Sequence, residues 1–492
     1  MNNKSTSYKG TVKSTAIFGI AQVIQMLTTI LRAKLIAVIF GSFGMGVNAI
    51  FQSTISIISN FSSFGIFQSG VRELSSDFEN KDEGKLMRKQ SIFNRLVWLS
   101  GIIGGLVCIF CAIWLSSIAF QNSDYSLHFV ILSIAVFFTA LSNGQIVFLQ
   151  VTRNISSLAK ASLIGALFGV LTAVPLYYYA GRIGIPISIS LSAVILYITQ
   201  LYYTKKLKIF KPVKIILKDS FKEAAPIIKI GSVLMLGMVL LTIFSYLTNI
   251  FIGRYGKIED VGLFQGASSI TTQSISIVIT VLASDFFPRL SAVFQEKDKV
   301  NRLVNEQAEI VSLIIAPITI VILVFAPIII RALLSQEFVV ILPVLRLMSL
   351  SLLARGIWLI MSYVILAFGD KKAYLIYDSI ISNGLLCVLN ISSYVIWGLE
   401  GLGISFLVGA TINAIILSFV VKSKYDISFS KEFYFKLFFL GSLILCSYFI
   451  MDLKTDWLRV TLSYLVVCIV TFYSIYVLNR RTGFIDYLRR KV

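Results

Sequence analysis

The chain has 492 residues, 57% of them hydrophobic and only 14% charged, with a formal net charge of +20. That composition leaves too little polar surface for a water-soluble globular protein, so the bilayer is its solvent. The positive charge does not indicate nucleic acid, because Lys and Arg lie in short loops between apolar runs rather than together on one exposed face.

Met1 to Gly10 is polar, and the apolar run after it is too long for a signal-peptide h-region and lacks a small-residue cleavage site. The first helix is therefore expected to be retained. Fourteen membrane spans follow from hydropathy. In the first half they run Val12 to Phe40, Gly46 to Gly70, Ile92 to Phe120, Ser126 to Val151, Ile155 to Ala180, Gly184 to Thr204 and Pro226 to Ile252. In the second half they run Val261 to Phe287, Ala308 to Leu334, Val339 to Phe368, Ala373 to Trp397, Gly401 to Val421, Phe433 to Ile450 and Leu458 to Leu478. No stretch between them has room for a soluble domain.

Of the 44 Lys and Arg residues, 31 fall in alternate gaps on the side of the amino terminus, 6 on the other side and 7 within spans. By the positive-inside rule both termini are expected in the cytoplasm, which requires an even number of spans. The longest basic gap, Lys205 to Lys222, follows the sixth span and reads as a solvated connector.

An internal repeat flanks that connector. Gln52, Ser56, Ser59 and Ser63 correspond at an offset of 213 to Gln265, Ser269, Thr272 and Ser276, and Gly181-Arg-Ile-Gly184 leads into span six as Gly398-Leu-Glu-Gly401 leads into span twelve. The expected organisation is a six-helix bundle at 1–204, a basic cytoplasmic linker at 205–225, a second six-helix bundle at 226–421, and two further helices with a cytoplasmic tail at 422–492. Six being even, the bundles keep one orientation and should be related by an axis along the membrane normal, with a cavity between them.

Within the spans, Gln22, Gln25, Thr29 and Arg32 share one helical arc, as do Asn48, Gln52, Ser56, Ser59 and Ser63. Such stripes line water or another helix, not lipid. Arg32 and Arg355 lie well inside their spans, where a guanidinium stays ionised and faces an aqueous cavity or an anion. Lys34 and Arg346 are further cationic candidates; Arg95, Lys160 and Lys229 lie near the inner surface, where headgroup anchoring is the common role. Gln265, Ser269 and Thr272 complete the expected polar lining.

None of the 24 Asp and Glu residues falls mid-span on this map, since Asp285, Glu309 and Asp378 lie toward cytoplasmic ends. The interior is thus cationic and suits an anionic cargo, with Arg especially suited to phosphate. No nucleotide-cradling loop or metal-ligand cluster is visible, the single His128 reads as structural, and the five cysteines lie within apolar runs.

The opening run, with Ser14, Gly19, Arg32 and Lys34 and then Phe40-Gly41, Gly44 and Gly46-Val47-Asn48-Ala49-Ile50-Phe51-Gln52, resembles the first helical hairpin of bacterial polysaccharide flippases of the O-antigen type, in the multidrug/oligosaccharidyl-lipid/polysaccharide exporter superfamily. The resemblance covers nearly the whole chain. It implies a V-shaped pair of six-helix lobes in the bacterial plasma (inner) membrane that carries undecaprenyl-diphosphate-linked oligosaccharide to the outer leaflet by alternating access, without enzymatic activity. It further implies no cofactor beyond a proton or sodium gradient or the membrane potential. The partners implied are the lipid-linked cargo, membrane lipids, a polysaccharide polymerase and a chain-length regulator, and no nucleic acid. A cation-coupled multidrug antiporter of the same superfamily is the first alternative and would need acidic residues in mid-span. A membrane enzyme of polysaccharide assembly is the second and would need a substantial outer loop.

Overall fold

The computed structural model describes residues 2–80, 83–207 and 217–482, with side chains from residue 24 in the first helix and from residue 235 in the eighth. Residues 208–216 of the basic connector lie outside the described residues, as does the side chain of Gln22.

Helices follow one another along the whole chain: α1 (Asn2–Ser63), α2 (Ile66–Glu79), α3 (Glu83–Phe110), α4 (Ala112–Phe120), α5 (Ser126–Val151), α6 (Ile155–Ala180), α7 (Gly184–Lys206) and α8 (Leu217–Tyr255). They continue with α9 (Ile258–Val281), α10 (Phe287–Val293), α11 (Lys297–Leu333), α12 (Leu342–Ala367), α13 (Lys371–Ala373), α14 (Asn383–Tyr425), α15 (Lys431–Ile450) and α16 (Asp456–Thr482). Segments Leu282–Phe286 and Tyr374–Ser382 are π-helical.

Among the described residues, ten helical stretches are long and apolar enough to cross a membrane. Three of them, Ile24–Ser63, Ser156–Lys206 and Lys371–Tyr425, run 40, 51 and 55 residues. At about 1.5 Å per residue each can cross an apolar core about 30 Å thick twice. Each is broken once: at Gly41, at the 3₁₀ turn Gly181–Ile183, and at Gly398. With these breaks, and with the apolar helix α9, the described residues form an all-helical multi-pass membrane protein with the crossings that hydropathy predicts. The second crossing ends earlier than expected, at Ser63, because Phe64 and Gly65 both take positive φ (46° and 67°) and turn the chain into α2.

Contacts group the chain into two compact units, residues 1–262 and 263–492. In the first, α5 packs on α3 and α7, and the first part of α1 packs on α6. Polar bonds pin these apolar helices: the Ser142 hydroxyl donates to Gln200 Oε1 at 2.5 Å, both residues being buried. Two amides fix α1 against α8: Asn249 Nδ2 donates to Ser53 Oγ and Asn60 Nδ2 to Thr242 Oγ1, each at 3.1 Å. As the residue number rises on one helix it falls on the other, so the two run antiparallel. The contact grouping thus places α8 with the first unit, whereas the sequence repeat puts its boundary at the connector before α8.

In the second unit α12 packs on α11 and α14, and the two last helices pack on α11. Asn305 Nδ2 donates to the Ser428 carbonyl at 3.1 Å while its Oδ1 accepts from the Ser430 amide at 2.7 Å, and Lys436 pairs with Glu309 at 2.6 Å. That half-buried ion pair and the two Asn305 bonds fasten α15 and the segment leading into it to α11.

Candidate functional site

Arg32 is half-buried on α1 and reaches α7. Its Nη2 donates to the Ser188 carbonyl (3.2 Å), Ser188 Oγ (3.1 Å) and Ser192 Oγ (2.5 Å), while Ser188 Oγ itself donates to the hydroxyl of buried Tyr177. The Arg32 Nε–H is buried without a partner. All of these acceptors are neutral, so the positive charge is oriented by dipoles and, among the described residues, is not cancelled by a carboxylate. Oriented neutral acceptors leave net positive potential for an anion to meet.

Arg355 sits at the centre of α12, about 20 Å from either end at about 1.5 Å per residue. It is half-buried and, among the described residues, has no hydrogen bond or ion pair. An arginine at mid-helix costs roughly 2.5–3.5 kcal/mol on membrane-insertion scales, and nothing in the second unit offsets it by pairing. Arg346, in the second turn of α12, is half-buried, and its Nε is buried without a hydrogen-bond partner. Lys34 is half-buried and has an interaction of its own.

The two polar stripes lie on the less buried faces of their helices. Gln25, Gln52 and Ser56 of α1 are exposed, with Asn48 and Ser59 half-buried; on α9, Thr272 is exposed, with Gln265 and Ser269 half-buried. The opposite faces carry the core: Ile50, Phe51, Ile55 and Ile58 on α1, and Phe264, Ala267, Ile270 and Ile275 on α9. Of the repeated polar positions, Gln52, Ser56 and Thr272 turn away from their own unit's core, whereas Ser63 is buried.

Two features stand out that the sequence alone did not single out. Asp378 lies in the π-helical segment, where its carboxylate accepts from Trp358 Nε1 at 3.0 Å. Trp358 and Ser362 are one and two turns from Arg355, so α12 carries a polar stripe of its own; the spacing 355, 358, 362 is the signal that could have revealed it. The other feature is a cavity of about 510 Å³ in the first unit, lined by Ser59, Asn60, Ser63, Asn143 and Gln150 among others. Asn143 and Gln150 are seven apart on α5 and share a face, a weaker repeat of the same signal.

The described residues hold no group of three His, Cys, Asp or Glu with metal-binding geometry, and all five cysteines are free. His128 rests against aromatic rings, 4.9 Å from Tyr125 and 6.0 Å from Phe51 between centroids, a packing role.

Comparison with known proteins adds the following. The polysaccharide biosynthesis protein family matches residues 41–343. A lipid III flippase from Escherichia coli (strain K12) is 22% identical over 311 residues, covering 63% of this chain and 74% of the relative; the corresponding Shigella flexneri flippase gives the same figures. Among solved structures, a lipid II flippase in an inward closed conformation superposes with a TM-score of 0.72 at 17% identity, over 95% of this chain and 99% of that one. An inward-facing multidrug resistance MATE family transporter of the MOP superfamily gives 0.68 at 16% identity, over 82% and 94%. At these identities the two structures share the fold with this chain.

Proposed function

We propose, because the chain belongs to the polysaccharide biosynthesis protein family, that it translocates lipid-linked oligosaccharide across the plasma membrane of a bacterium by alternating access. The cargo is an undecaprenyl-diphosphate-linked repeat unit of O-antigen, capsule or a related surface polysaccharide, moved from the cytoplasmic to the outer leaflet. Both termini are cytoplasmic by the charge asymmetry of the loops. The protein transports and does not catalyse, passing its cargo to a polysaccharide polymerase and chain-length regulator.

The observation that carries this reading is Arg355: a permanently charged, unpaired guanidinium at the centre of a span. Its burial cost makes sense when a diphosphate periodically supplies the missing counter-charge, bound through the planar donor fork. In the first unit Arg32, held in a frame of serine oxygens, also carries a charge that no carboxylate cancels among the described residues. Within each unit the polar stripe, Gln25, Asn48, Gln52, Ser56 and Ser59 in the first and Gln265, Ser269 and Thr272 in the second, faces water. The names of the lipid III flippase relatives and of the lipid II flippase structure support a lipid-linked cargo.

Asp378 favours a second reading, a cation-coupled antiporter, since a carboxylate held by a neutral donor within a span can take up a proton or a sodium ion. One experiment decides between them. The full-length protein is reconstituted into vesicles with undecaprenyl-diphosphate oligosaccharide in the inner leaflet and, separately, with a lipophilic cationic drug. Movement of the glycolipid and not the drug is expected; movement of the drug alone overturns the proposal.

A further inference from the structure

Among the described residues, three cavities of ligand size, two in the first unit and one in the second, differ in their chemistry. One in the first unit, about 390 Å³, is walled mostly by Ile58, Phe61, Val107, Trp114 and similar side chains, and the one in the second, about 530 Å³, is mostly apolar but carries Thr411, Ser418, Lys422, Ser428 and Tyr434. The third, about 510 Å³, carries Ser59, Asn60, Ser63, Asn143 and Gln150 beside Phe67 and Met235. Its size lies in the range of roughly 300–1,000 Å³ typical of ligand sites.

We propose that this third cavity is a saccharide subsite that holds the sugar part of the lipid-linked cargo. The inference rests on the flippase reading and gives the carbohydrate its own set of contacts. Among the described residues no Lys, Arg, Asp or Glu lines the cavity. Its amides each offer both donors and acceptors, and its hydroxyls do the same, which matches adjacent sugar hydroxyls that also donate and accept. Phe67, Ile146, Val147 and Met235 supply apolar surface for the C–H face of a pyranose ring. Three side-chain amides, Asn60, Asn143 and Gln150, distinguish this cavity from the other two, which have none among the described residues.

Two further observations converge. Ser59 Oγ is buried with no hydrogen-bond partner, and an unmet buried hydroxyl costs about 1–3 kcal/mol that a ligand hydroxyl would recover. Asn60 and Ser63 are already held, Asn60 by donating to Thr242 and Ser63 by donating to the Asn60 carbonyl. The walls are thus fixed before a ligand arrives, and preorganisation reduces the entropic cost of binding. The cavity also lies toward the ends of α1 and α5 that lead to Arg72 and Arg153, the basic side, which the charge rule assigns to the cytoplasm. That is the side on which a lipid-linked sugar must be loaded if it is to be carried outward.

The test measures equilibrium binding of two probes to the full-length protein in lipid nanodiscs: undecaprenyl diphosphate alone, and undecaprenyl diphosphate bearing one N-acetylhexosamine or hexose. The free monosaccharide serves as a third arm, to separate the sugar from its carrier. Wild type is expected to bind a glycosylated carrier at least tenfold more tightly than the bare one. Asn143→Leu and Gln150→Leu should each remove most of that preference while leaving affinity for bare carrier intact, which also reports that the variants are folded. Asn143→Gln should keep part of the preference. A wild type that binds both carriers equally, or variants that lose both carriers alike or neither, overturns the subsite and leaves the flippase reading standing. A wild type that binds no carrier at all overturns both, as does one that binds the free sugar as tightly as the glycolipid.

Discussion

Gly181 and Gly398 occupy corresponding places in the two halves of the sequence and take the same backbone conformation, φ 58° and ψ −136° in one, φ 59° and ψ −140° in the other. Each breaks a double-length helix in its own unit, and eight residues back from the glycine that follows three positions later lies a carbonyl that a Cβ would strike. Gly184 would meet Leu176 O at 2.2 Å and Gly401 would meet Ser393 O at 2.0 Å. The buried tyrosines four residues before each break, Tyr177 and Tyr394, and the fully buried serines seven after it, Ser188 and Ser405, correspond as well. A duplication read from a few letters is thus matched by a shared local geometry.

That geometry makes a substitution test clean. Nothing lies within 4 Å of a Cβ built on Gly181 or Gly398, so alanine there is penalised through the backbone alone, by about 1–3 kcal/mol. Gly181→Ala and Gly398→Ala should lower thermal stability by similar amounts in fluorescence size-exclusion melts. A large loss for one and none for the other would show that the two turns do not serve the same purpose.

Much of this architecture was legible in the chain because the bilayer imposes strong rules: apolar runs of fixed length, basic loops on alternate sides, and turns that only glycine can make. The site was less legible. Arg32 was visible as a charge, but a sequence does not show that it reaches Ser188 and Ser192 on α7, 156 and 160 residues away. Asp378 read as a residue near a helix end, and only the packing of α12 brings Trp358 onto it. Asn143 and Gln150 passed unremarked because isolated amides in a span are usually helix-packing contacts.

The two arginines should respond differently to removal. Arg355→Gln relieves an unpaired charge, so stability should be unchanged or higher while glycolipid transport falls at least tenfold. Arg32→Gln also breaks the bonds to Ser188 and Ser192, so it should lower both transport and melting temperature. Transport assays paired with melts on the same preparations check this, and equal effects of the two substitutions on both readouts would contradict the distinction.

Asp378→Asn keeps the shape and the acceptor facing Trp358 Nε1 while removing the charge. If transport draws on an ion gradient through this carboxylate, the variant should still move cargo down its own gradient but lose any stimulation by imposed proton or sodium gradients. Unaltered stimulation would exclude Asp378 from coupling.

Outside the spans, Asp370 caps the turn into α13: its carboxylate accepts from the Ala373 amide at 2.9 Å, and from Lys424 and the Tyr425 hydroxyl at 3.1 Å each. The backbone bond to Ala373, aided by Lys424 and Tyr425, holds its pKa below the ordinary aspartate value. A carboxyl whose folded pKa is depressed stabilises the fold fully above its unfolded value of about 3.9, and that contribution disappears as pH falls through the folded value. At pH 7 Asp370→Ala should therefore cost about 0.5–2 kcal/mol, the typical loss of a helix cap, lowered by high salt because the Lys424 pair is partly exposed. The gap between wild type and variant should narrow as the melts are moved below pH 4. A gap that widens under acid would mean that the protonated carboxyl, not the carboxylate, holds α12 to the end of α14.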